Sequence, residues 1–504
     1  MRTVTGSSDH VVVVGAGLAG LSTAVHLAGR GRRVTVVERE ATPGGRMGRL
    51  DLDGYRIDTG PTVLTMPELL DEVFDAVGER TGDRLSLFPV DPAYHAVYAD
   101  GRSLDVHRDP EAMEQAVADF AGAEQALGYR RLRDWLGRLY AAEFDRFIAS
   151  NFESPLSMLT PALARLTALG GFRRWDAKVA DFISDPDLRR VFTFQSLYAG
   201  VAPDRALAAY AVIAHMDTMS GVYFPRGGMR AVPDALAAAA VAAGVQFRYQ
   251  STVTGLVRSG GRVTAVQTDQ DDRIDCDAVV LTTELHRTYD LLGHRPRRPG
   301  GVRSAPSAVV LHLACDRQAD LPHHSLLFGS EWESSFREII DEGRVMSDPS
   351  LLLTRSTAGD PTLAPPGRDL LFLLAPAPNL QRGQIDWPKR QGAYAEQILD
   401  IAQRRIGSRW PELEVLRVVT PADWADQDMR DGSPFALAHT FAQTGPFRPA
   451  NMIRGLDNVV LAGGSTVPGV GIPPVLISGR LAADRVTGRT GVRRRSASTI
   501  HPSS

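Results

Sequence analysis

The residues best placed to do chemistry stand near the start of the chain, in a glycine-rich turn. The apolar run Val11 to Val14 leads into Gly15-x-Gly17-x-x-Gly20. A continuous apolar run predicts a parallel strand buried on both faces. The glycines then allow a tight turn, close approach of a pyrophosphate and close packing of the next helix on the strand. Unpaired N–H groups at the start of that helix favour phosphate. The spacing therefore predicts a dinucleotide site.

A carboxylate and a second glycine pair follow at short range. Glu38 ends a second predicted strand, Val34 to Val37. A carboxylate there can accept hydrogen bonds from both ribose hydroxyls of an adenosine and repels a 2′-phosphate, which argues against NADP. Gly44, Gly45 and Arg46 come next, and the arginine can reach a phosphate or a flavin edge. A glycine-rich turn alone is common in α/β proteins, but strand, glycines, helix, strand and acid in this order favour a cofactor site.

A similar arrangement closes the chain. The predicted strand Val459 to Leu461 is followed by Gly463 and Gly464, and Gly471-Ile472 precedes a predicted helix from about Pro474. The free N–H groups at this second helix start suit a pyrophosphate or the pyrimidine edge of a flavin. Two such turns so far apart predict one Rossmann-like domain assembled from discontinuous segments.

The pattern of elements predicts an α/β protein with an α+β substrate region. We expect an FAD-binding domain at residues 1–85, 226–290 and 446–488, a substrate sheet domain at 86–108 and 291–445, a helical region at 109–225, and a disordered tail at 489–504. Within the second cofactor segment, Val253 begins a strand and is a candidate for a backbone contact to adenine. Residues 409–448, rich in proline and aromatics, suit loops over a pocket.

Composition excludes several classes of protein. The 504 residues exceed one ordinary core, and the net charge of −3 does not suggest a nucleic-acid partner. Cys276 and Cys315 lack the spacing of a metal site or a disulfide framework. A buried strand beginning at residue 11 leaves no room for a signal peptide, and no apolar run reaches about eighteen residues. We therefore expect a cytoplasmic protein whose contact with a membrane is peripheral.

Two central stretches have open interpretations. Residues 154–174 mix leucines with Arg165, Arg173 and Arg174. Such a stretch suits either a helix lying in a membrane interface or an amphipathic helix packed on the core, which is the commoner case. Residues 191–233 are rich in aromatics and methionines, which suit a core or the lining of an apolar tunnel. Periodicity does not separate these two.

Several motifs resemble those of the carotenoid desaturase family of FAD flavoproteins, and bacterial phytoene desaturases in particular. They are Gly44-Gly45-Arg46, Asp58-Thr59-Gly60-Pro61-Thr62, FQSLYAG (194–200), GVYFPRGGM (221–229) and AGGSTVPGVGIPPVLISG (462–479). The resemblance spans roughly residues 10–487. It implies FAD as the only redox cofactor, a long uncharged polyene as substrate and peripheral membrane association. It also implies that Gly60 and Pro61 lie against the isoalloxazine ring, although an ordinary turn there is equally consistent with the sequence.

The implied chemistry tolerates few polar groups. The substrate loses a hydride to the flavin, and the resulting allylic cation loses a proton, so a strong base is not required. His215, Asp217 and Arg226 are the nearest polar candidates, with structural hydrogen bonds or ion pairs as the favoured alternative. Many relatives have His-Pro where this chain has Val467-Pro468, so an imidazole at that position is not required here.

The remaining expectations concern the electron acceptor and rival functions. Since one dinucleotide fingerprint is found, electrons should pass from the flavin to a quinone or oxygen. The rivals are an amine oxidase or carotenoid isomerase of the same fold, and a non-catalytic isoprenoid-binding escort protein. The intact glycines and Glu38 argue against the escort protein.

Overall fold

The computed structural model describes residues 1–296 and 301–488, so the predicted tail, 489–504, lies outside the described residues. Its centre is a five-stranded sheet in which every neighbouring pair is parallel. In spatial order the strands are Val459–Leu461, Ala278–Leu281, His10–Val14, Arg33–Val37 and Gln246–Arg248. Because these strands come from the start, middle and end of the chain, the prediction of a discontinuous Rossmann-like fold is confirmed.

Close helix packing covers this sheet. Helix Leu18–Gly29 follows the first strand and packs against Ile472–Thr487 and Ala231–Ala242. A Cβ on Gly479 would lie 2.6 Å from the Ala19 carbonyl oxygen. The backbones of helices Leu18–Gly29 and Ile472–Thr487 are therefore in close contact. The first strand is inaccessible to solvent at its centre, as its apolar run predicts.

A seven-stranded mixed sheet forms the second layer. Its strands, in spatial order, are Leu413–Val419, Ser307–Cys315, Asp369–Ala377, Leu351–Arg355, His324–Leu327, Tyr94–Val97 and Ser103–Val106. All its neighbours are antiparallel except the parallel pair His324–Leu327 and Tyr94–Val97. Helix Trp387–Ile406 buries one side in an apolar cluster shared with this sheet. Alternate side chains on the sheet point away from that cluster and line the cavity described below.

The remaining elements connect these layers. The other helices are Glu68–Asp75, Thr81–Arg84, Pro110–Ala121, Ala123–Glu143, Pro161–Ala168, Trp175–Ala180, Pro186–Val191, Val212–His215, Leu285–Leu291, Trp332–Arg337 and Pro421–Asp426. The other strands are the hairpin Arg49–Leu52 with Tyr55–Asp58, the pair Leu87–Val90 with Val222–Pro225, and the meander Val253–Ser259, Arg262–Thr268 and Arg273–Asp275. Across residues 1–296 and 301–488, no helix is both long and apolar enough to cross a bilayer.

Three local expectations are corrected. Residues 154–174 do not form one helix: a 3-10 turn, Pro155–Met158, precedes Pro161–Ala168, because Pro161 lacks the N–H that a continuous helix needs. Strand Leu87–Val90 lies in the segment predicted for the substrate sheet, 86–108, but it pairs with Val222–Pro225 in a separate two-stranded sheet. Residues 409–448 are not only loops, since Leu413–Val419 forms an edge strand.

Candidate active site

A single cavity of about 1440 Å³ runs between the two sheets. It exceeds the roughly 300–1,000 Å³ of an ordinary small-molecule site. Nearly all the residues predicted to bind the cofactor line it, namely Gly15, Gly17, Glu38, Gly44, Gly45, Arg46, Gly60, Pro61, Val253, Gly463, Gly464, Gly471 and Ile472. The remaining one, Gly20, lies beneath the turn, where an added Cβ would overlap the Gly15 carbonyl oxygen. Cofactor binding by these residues stays a prediction, which substitution of Glu38 tests below.

The glycines form a cradle made of backbone. Gly17 pairs with Gly44 in an isolated β-bridge, and the Gly44 N–H donates to the Ala16 carbonyl at 2.9 Å. A Cβ on Gly45 would lie 3.2 Å from the Gly17 Cα, and Gly45 adopts a φ of +57°. Gly17 is also the residue at which helix Leu18–Gly29 begins, without a side-chain cap. Its first N–H groups therefore stay available to an anion in the cradle.

Glu38 is fixed at the end of the second strand by backbone donors. Its carboxylate accepts N–H groups from Ala16 at 2.6 Å and Glu40 at 2.9 Å, and its side chain is buried. A carboxylate has about four acceptor positions, so two remain for ribose hydroxyls. The predicted role of Glu38 agrees with this geometry.

The second glycine turn is held by a buried arginine that sequence reasoning missed. Arg448 donates to the carbonyls of Gly464 at 2.7 Å and Thr466 at 2.9 Å. It also donates to the carbonyls of Gln443 and Leu437. Helix Ile472–Thr487 begins at Gly471, again without a side-chain cap. Arg448 thus fixes the loop that precedes this helix. The prediction of several free N–H groups at this helix start is wrong, because Pro473 and Pro474 have none and the Val475 N–H donates to the Gly471 carbonyl, which leaves Ile472 as the donor of the first turn.

The Asp58–Thr62 turn is tied to the GVYFPRGGM segment. The Asp58 carboxylate accepts N–H groups from Met229 at 2.8 Å and Arg230 at 3.1 Å. Gly60 lies against the Arg46 carbonyl, where no Cβ fits. The Arg46 guanidinium pairs with Glu284, but its Nε is buried with no hydrogen-bond partner among the described residues. Such a donor fits a polar cofactor edge.

The three catalytic candidates do not come together. Asp217 lines the cavity and is 3 % exposed, and burial raises the pKa of its carboxyl to about 7. His215 stacks on Tyr140 at 4.5 Å between ring centroids, outside the cavity lining, and burial lowers its pKa to about 4. Arg226 is exposed and its backbone N–H donates to the Ser86 carbonyl. Of the three, Asp217 alone can meet a molecule in this cavity.

Two further polar groups in the cavity wall were missed. Glu143, at the end of helix Ala123–Glu143, is buried, and desolvation raises its pKa well above the ordinary value. His439 lies over Gly469 and is hydrogen-bonded through Nδ1 to the Tyr210 hydroxyl at 3.2 Å. Helical periodicity treats an isolated glutamate as a surface residue, and no motif marks His439. The sequence therefore carries no signal for either.

Beyond the cradle the cavity wall is largely apolar. It is lined there by Phe147, Ile148, Phe152, Met158, Leu166, Phe172, Leu207, Ile213, Met216, Val310, Leu352, Phe372 and Leu374. The described residues contain no cluster of histidine, cysteine or carboxylate side chains that could hold a metal ion. The groups present suit a long hydrocarbon beside a cofactor.

The fold and the cradle together define an FAD-dependent oxidoreductase, with Glu38, the start of helix Leu18–Gly29 and Arg46 suited to holding FAD. Residues 18–487 match the family model described as flavin containing amine oxidoreductase. The chain is 59 % identical over 492 residues to phytoene dehydrogenase of Streptomyces griseus, covering 97 % of each chain. It is 35 % identical to a zeta-carotene-forming phytoene desaturase of Myxococcus xanthus, over 94 % of this chain and 93 % of that one.

A solved oxidoreductase from Methanosarcina mazei has the same fold, with a TM-score of 0.63 at 17 % identity, covering 94 % of this chain and 99 % of that one. The chain belongs to the flavin-containing amine oxidoreductase family and, within it, to the phytoene desaturases.

Proposed function

We propose that the protein removes hydrogens from phytoene or a related long polyene in carotenoid biosynthesis. The observation that carries this proposal is the continuity of the dinucleotide cradle with a long apolar cavity. When bound, FAD supplies the hydride acceptor. The protein's own residues hold the cofactor, exclude water from the apolar end and orient the chain of the substrate. The names of the relatives support the same substrate class.

Expression of the chain in a phytoene-producing host tests this function. We expect the extracted pigments to contain polyenes with more conjugated double bonds than phytoene, and the Gly20→Ala variant to lose them. Unchanged phytoene with an active, yellow holoenzyme would contradict the proposal. Oxidation of an amine by the purified protein would favour an amine oxidase, and a change of double-bond geometry without loss of hydrogen would favour an isomerase.

The substrate is taken from a lipid bilayer on which the protein docks from the cytoplasm. Five exposed apolar side chains, which we call the apolar rim, support this part of the proposal: Leu156, Leu159, Phe172, Phe441 and Phe447. Leu156 is 74 % exposed and Leu159 72 %. Phe172 belongs both to the rim and to the cavity wall, so the rim adjoins an end of the cavity. Exposed apolar patches of this kind mark interaction sites.

The solvent exposure of the leucines in residues 154–174 separates those of the rim from those of the core. Leu166 is 3 % exposed and packs in the main apolar cluster, so it cannot enter a bilayer. Arg165 is exposed near the rim, where it can meet lipid headgroups, whereas the exposed Arg173 is already paired with Asp181. Each arginine near an anionic surface adds about 1 kcal/mol to binding. In this proposal the segment therefore packs on the core through Leu166 and meets the membrane interface through Leu156 and Leu159.

Sedimentation with vesicles of phosphatidylcholine and phosphatidylglycerol tests the rim. Replacing Leu156, Leu159 and Phe441 with serine should lower binding at least about tenfold, since full burial of each such side chain is worth about 1.5–3 kcal/mol. A matched control replaces Leu127, Val241 and Val415, which are 52 %, 58 % and 41 % exposed elsewhere on the protein. Equal loss in both variants, or no loss in either, would place the docking surface elsewhere.

Electrons leave the flavin for a quinone or oxygen in this proposal. The cavity contains a single dinucleotide cradle, which supports one cofactor rather than a flavin with a nicotinamide. Turnover should therefore proceed without NAD or NADP and should require oxygen or an added quinone. Stoichiometric reduction of NAD during turnover would contradict this part.

A further inference from the structure

Asp217 is a carboxyl group placed in the wall of a cavity that is otherwise apolar around it. It lies in the short π-helical turn Met216–Ser220, and its side chain is almost completely buried yet lines the cavity. Turns of this type are frequent at functional sites. A buried carboxyl group costs stability unless it is compensated, so its presence there calls for a functional account.

The groups that surround the Asp217 carboxyl group bind it or pack near it without supplying a positive charge. The Tyr94 hydroxyl donates to Asp217 Oδ2 at 3.1 Å, and Tyr198, also in the cavity wall, lies beside both. Desolvation and the carboxylate raise the pKa of both tyrosines, so they stay neutral. His215, on the neighbouring turn, and His324, packed on Tyr94 at 5.7 Å, stay uncharged above pH 5 because burial lowers the pKa of each to about 4.

A chain of contacts connects Asp217 to the cofactor end of the cavity. Tyr94 joins Asp217 to His324, and His324 Nε2 is hydrogen-bonded to the Thr62 carbonyl at 3.2 Å. Thr62 belongs to the Asp58–Thr62 turn and lines the cavity next to Gly60 and Pro61. The carboxyl group therefore stands in the wall of the apolar region, and two residues, Tyr94 and His324, connect it to the turn that faces the cofactor cradle.

We propose that Asp217 is the catalytic residue that accepts the proton lost from the polyene in each desaturation. This inference rests on the proposed function. After hydride loss the polyene carries an allylic cation, and the C–H bond on the adjacent carbon breaks. Its electron pair forms the new double bond, and the proton binds to a carboxylate oxygen of Asp217. Two hydrogens leave the substrate as one hydride and one proton, so the step balances with the flavin as oxidant.

The other polar groups of the cavity are less suited to this role. Glu143 also lines the cavity, but burial raises the pKa of its carboxyl well above the ordinary value, which disfavours the carboxylate form that accepts a proton. His439 Nε2 is buried over Gly469, and burial lowers the pKa of its imidazole well below the ordinary value, which makes it a weak base. Asp217 is placed in the lining, and its pKa of about 7 leaves a carboxylate near neutral pH. The cation is strongly acidic, so this base is sufficient.

Three variants of the full-length holoenzyme test the assignment. Asp217→Asn removes the base and keeps the shape, and Tyr94→Phe removes one of the two side chains, Tyr94 and Gln195, whose hydrogen bonds stabilise the carboxylate. Thr218→Val is the control, because Thr218 is buried in the same turn and bonds only the Ala214 carbonyl. From pH 5.5 to 9 we measure FAD binding from flavin absorbance and, with phytoene in vesicles without oxygen, both flavin reduction and the rate at which a more conjugated polyene forms.

We expect all variants to bind FAD as the parent does. The rate of polyene formation should rise with pH through a midpoint near 7 in the parent and in Thr218→Val, because the double bond forms only when the proton is lost. In Asp217→Asn it should fall about 10²–10⁴-fold, the usual contribution of a positioned base, and lose the midpoint. Tyr94→Phe should move the midpoint to higher pH. An Asp217→Asn rate and pH profile equal to the parent's would overturn the assignment while leaving the proposed function intact.

Infrared titration gives a readout that does not depend on turnover. The carboxylic acid C=O band of Asp217 should disappear with a midpoint near pH 7 in the parent holoenzyme, and at higher pH in Tyr94→Phe. Absence of any such titrating band would overturn the assignment even if Asp217→Asn does not fold. Failure of phytoene to reduce the flavin of the parent at every pH would instead contradict the proposed function.

Discussion

The two ends of the cavity are built in different ways. The cofactor end is made of backbone: glycine turns, two uncapped helix starts and one carboxylate fixed by N–H donors. The polyene end is made of side chains that come from the central helices, the seven-stranded sheet and residues 434–445. A backbone cradle tolerates no added atoms but needs few particular side chains. A wall of apolar side chains tolerates substitution of similar volume, so the two ends should respond differently to mutation.

The largest effect should come from adding one carbon beneath the cradle. In Gly20→Ala the new Cβ overlaps the Gly15 carbonyl oxygen, and backbone on both sides cannot move away cheaply. We expect a loss of about 3 kcal/mol in unfolding free energy and loss of FAD. Gly137→Ala is the control, since no atom lies within 4 Å of its Cβ. It should be neutral or up to about 1 kcal/mol more stable in denaturant titrations. Equal behaviour of the two variants would refute the close packing.

Loss of the ribose acceptor should have the next largest effect. Glu38→Ala removes a charge-assisted acceptor and should weaken FAD binding by about 1.5–3 kcal/mol, measured by flavin fluorescence titration. Glu38→Gln keeps one carbonyl oxygen and should lose less. FAD affinity unchanged in Glu38→Ala would show that the N-terminal assignment is wrong.

Filling the polyene end with a larger side chain should impair substrate turnover without changing FAD binding. Leu352 lines the cavity from the seven-stranded sheet. We expect Leu352→Trp to lower turnover of phytoene about tenfold, which is about 1.4 kcal/mol, with FAD affinity unchanged. Val415→Trp, on an exposed position of the same sheet, should leave both unchanged. A parallel loss of FAD in Leu352→Trp would mean that the two ends are not independent.

Acid should destabilise both ends of the cavity. Burial lowers the pKa of His312 and His324 to about 4, and that of His26, in the helix that begins at the cradle, to about 3, all below the 6.5 of an unfolded histidine. Between those values the unfolded chain binds protons that the folded chain does not, so stability falls as pH falls, by up to about 1.4 kcal/mol per pH unit for each group. All six tryptophans lie outside the residues of the cradle. Their emission should therefore change over the same pH range in which FAD is released. Release of FAD without a change in emission would show that the two ends respond to acid independently.

The same contrast explains which features the sequence could predict. The cradle is encoded within short spans, such as Gly15 to Glu38, where residue type and spacing fix the local backbone. The polyene end depends on contacts between distant segments, such as Tyr94 with Asp217. The sequence indicated Asp217, His215 and Arg226 as polar candidates but could not show which of them faces the cavity. The break at Pro161 and the partner of Leu87–Val90 were missed because tertiary pairing and a proline override hydrophobic periodicity.

A single anaerobic experiment shows whether one cavity brings a polyene to the flavin. The FAD-loaded protein is mixed without oxygen with vesicles that contain phytoene, and visible absorbance is followed. We expect the flavin absorbance to bleach while the absorbance of a longer conjugated polyene appears in proportion. Flavin that stays oxidised with phytoene but bleaches with an amine would contradict it.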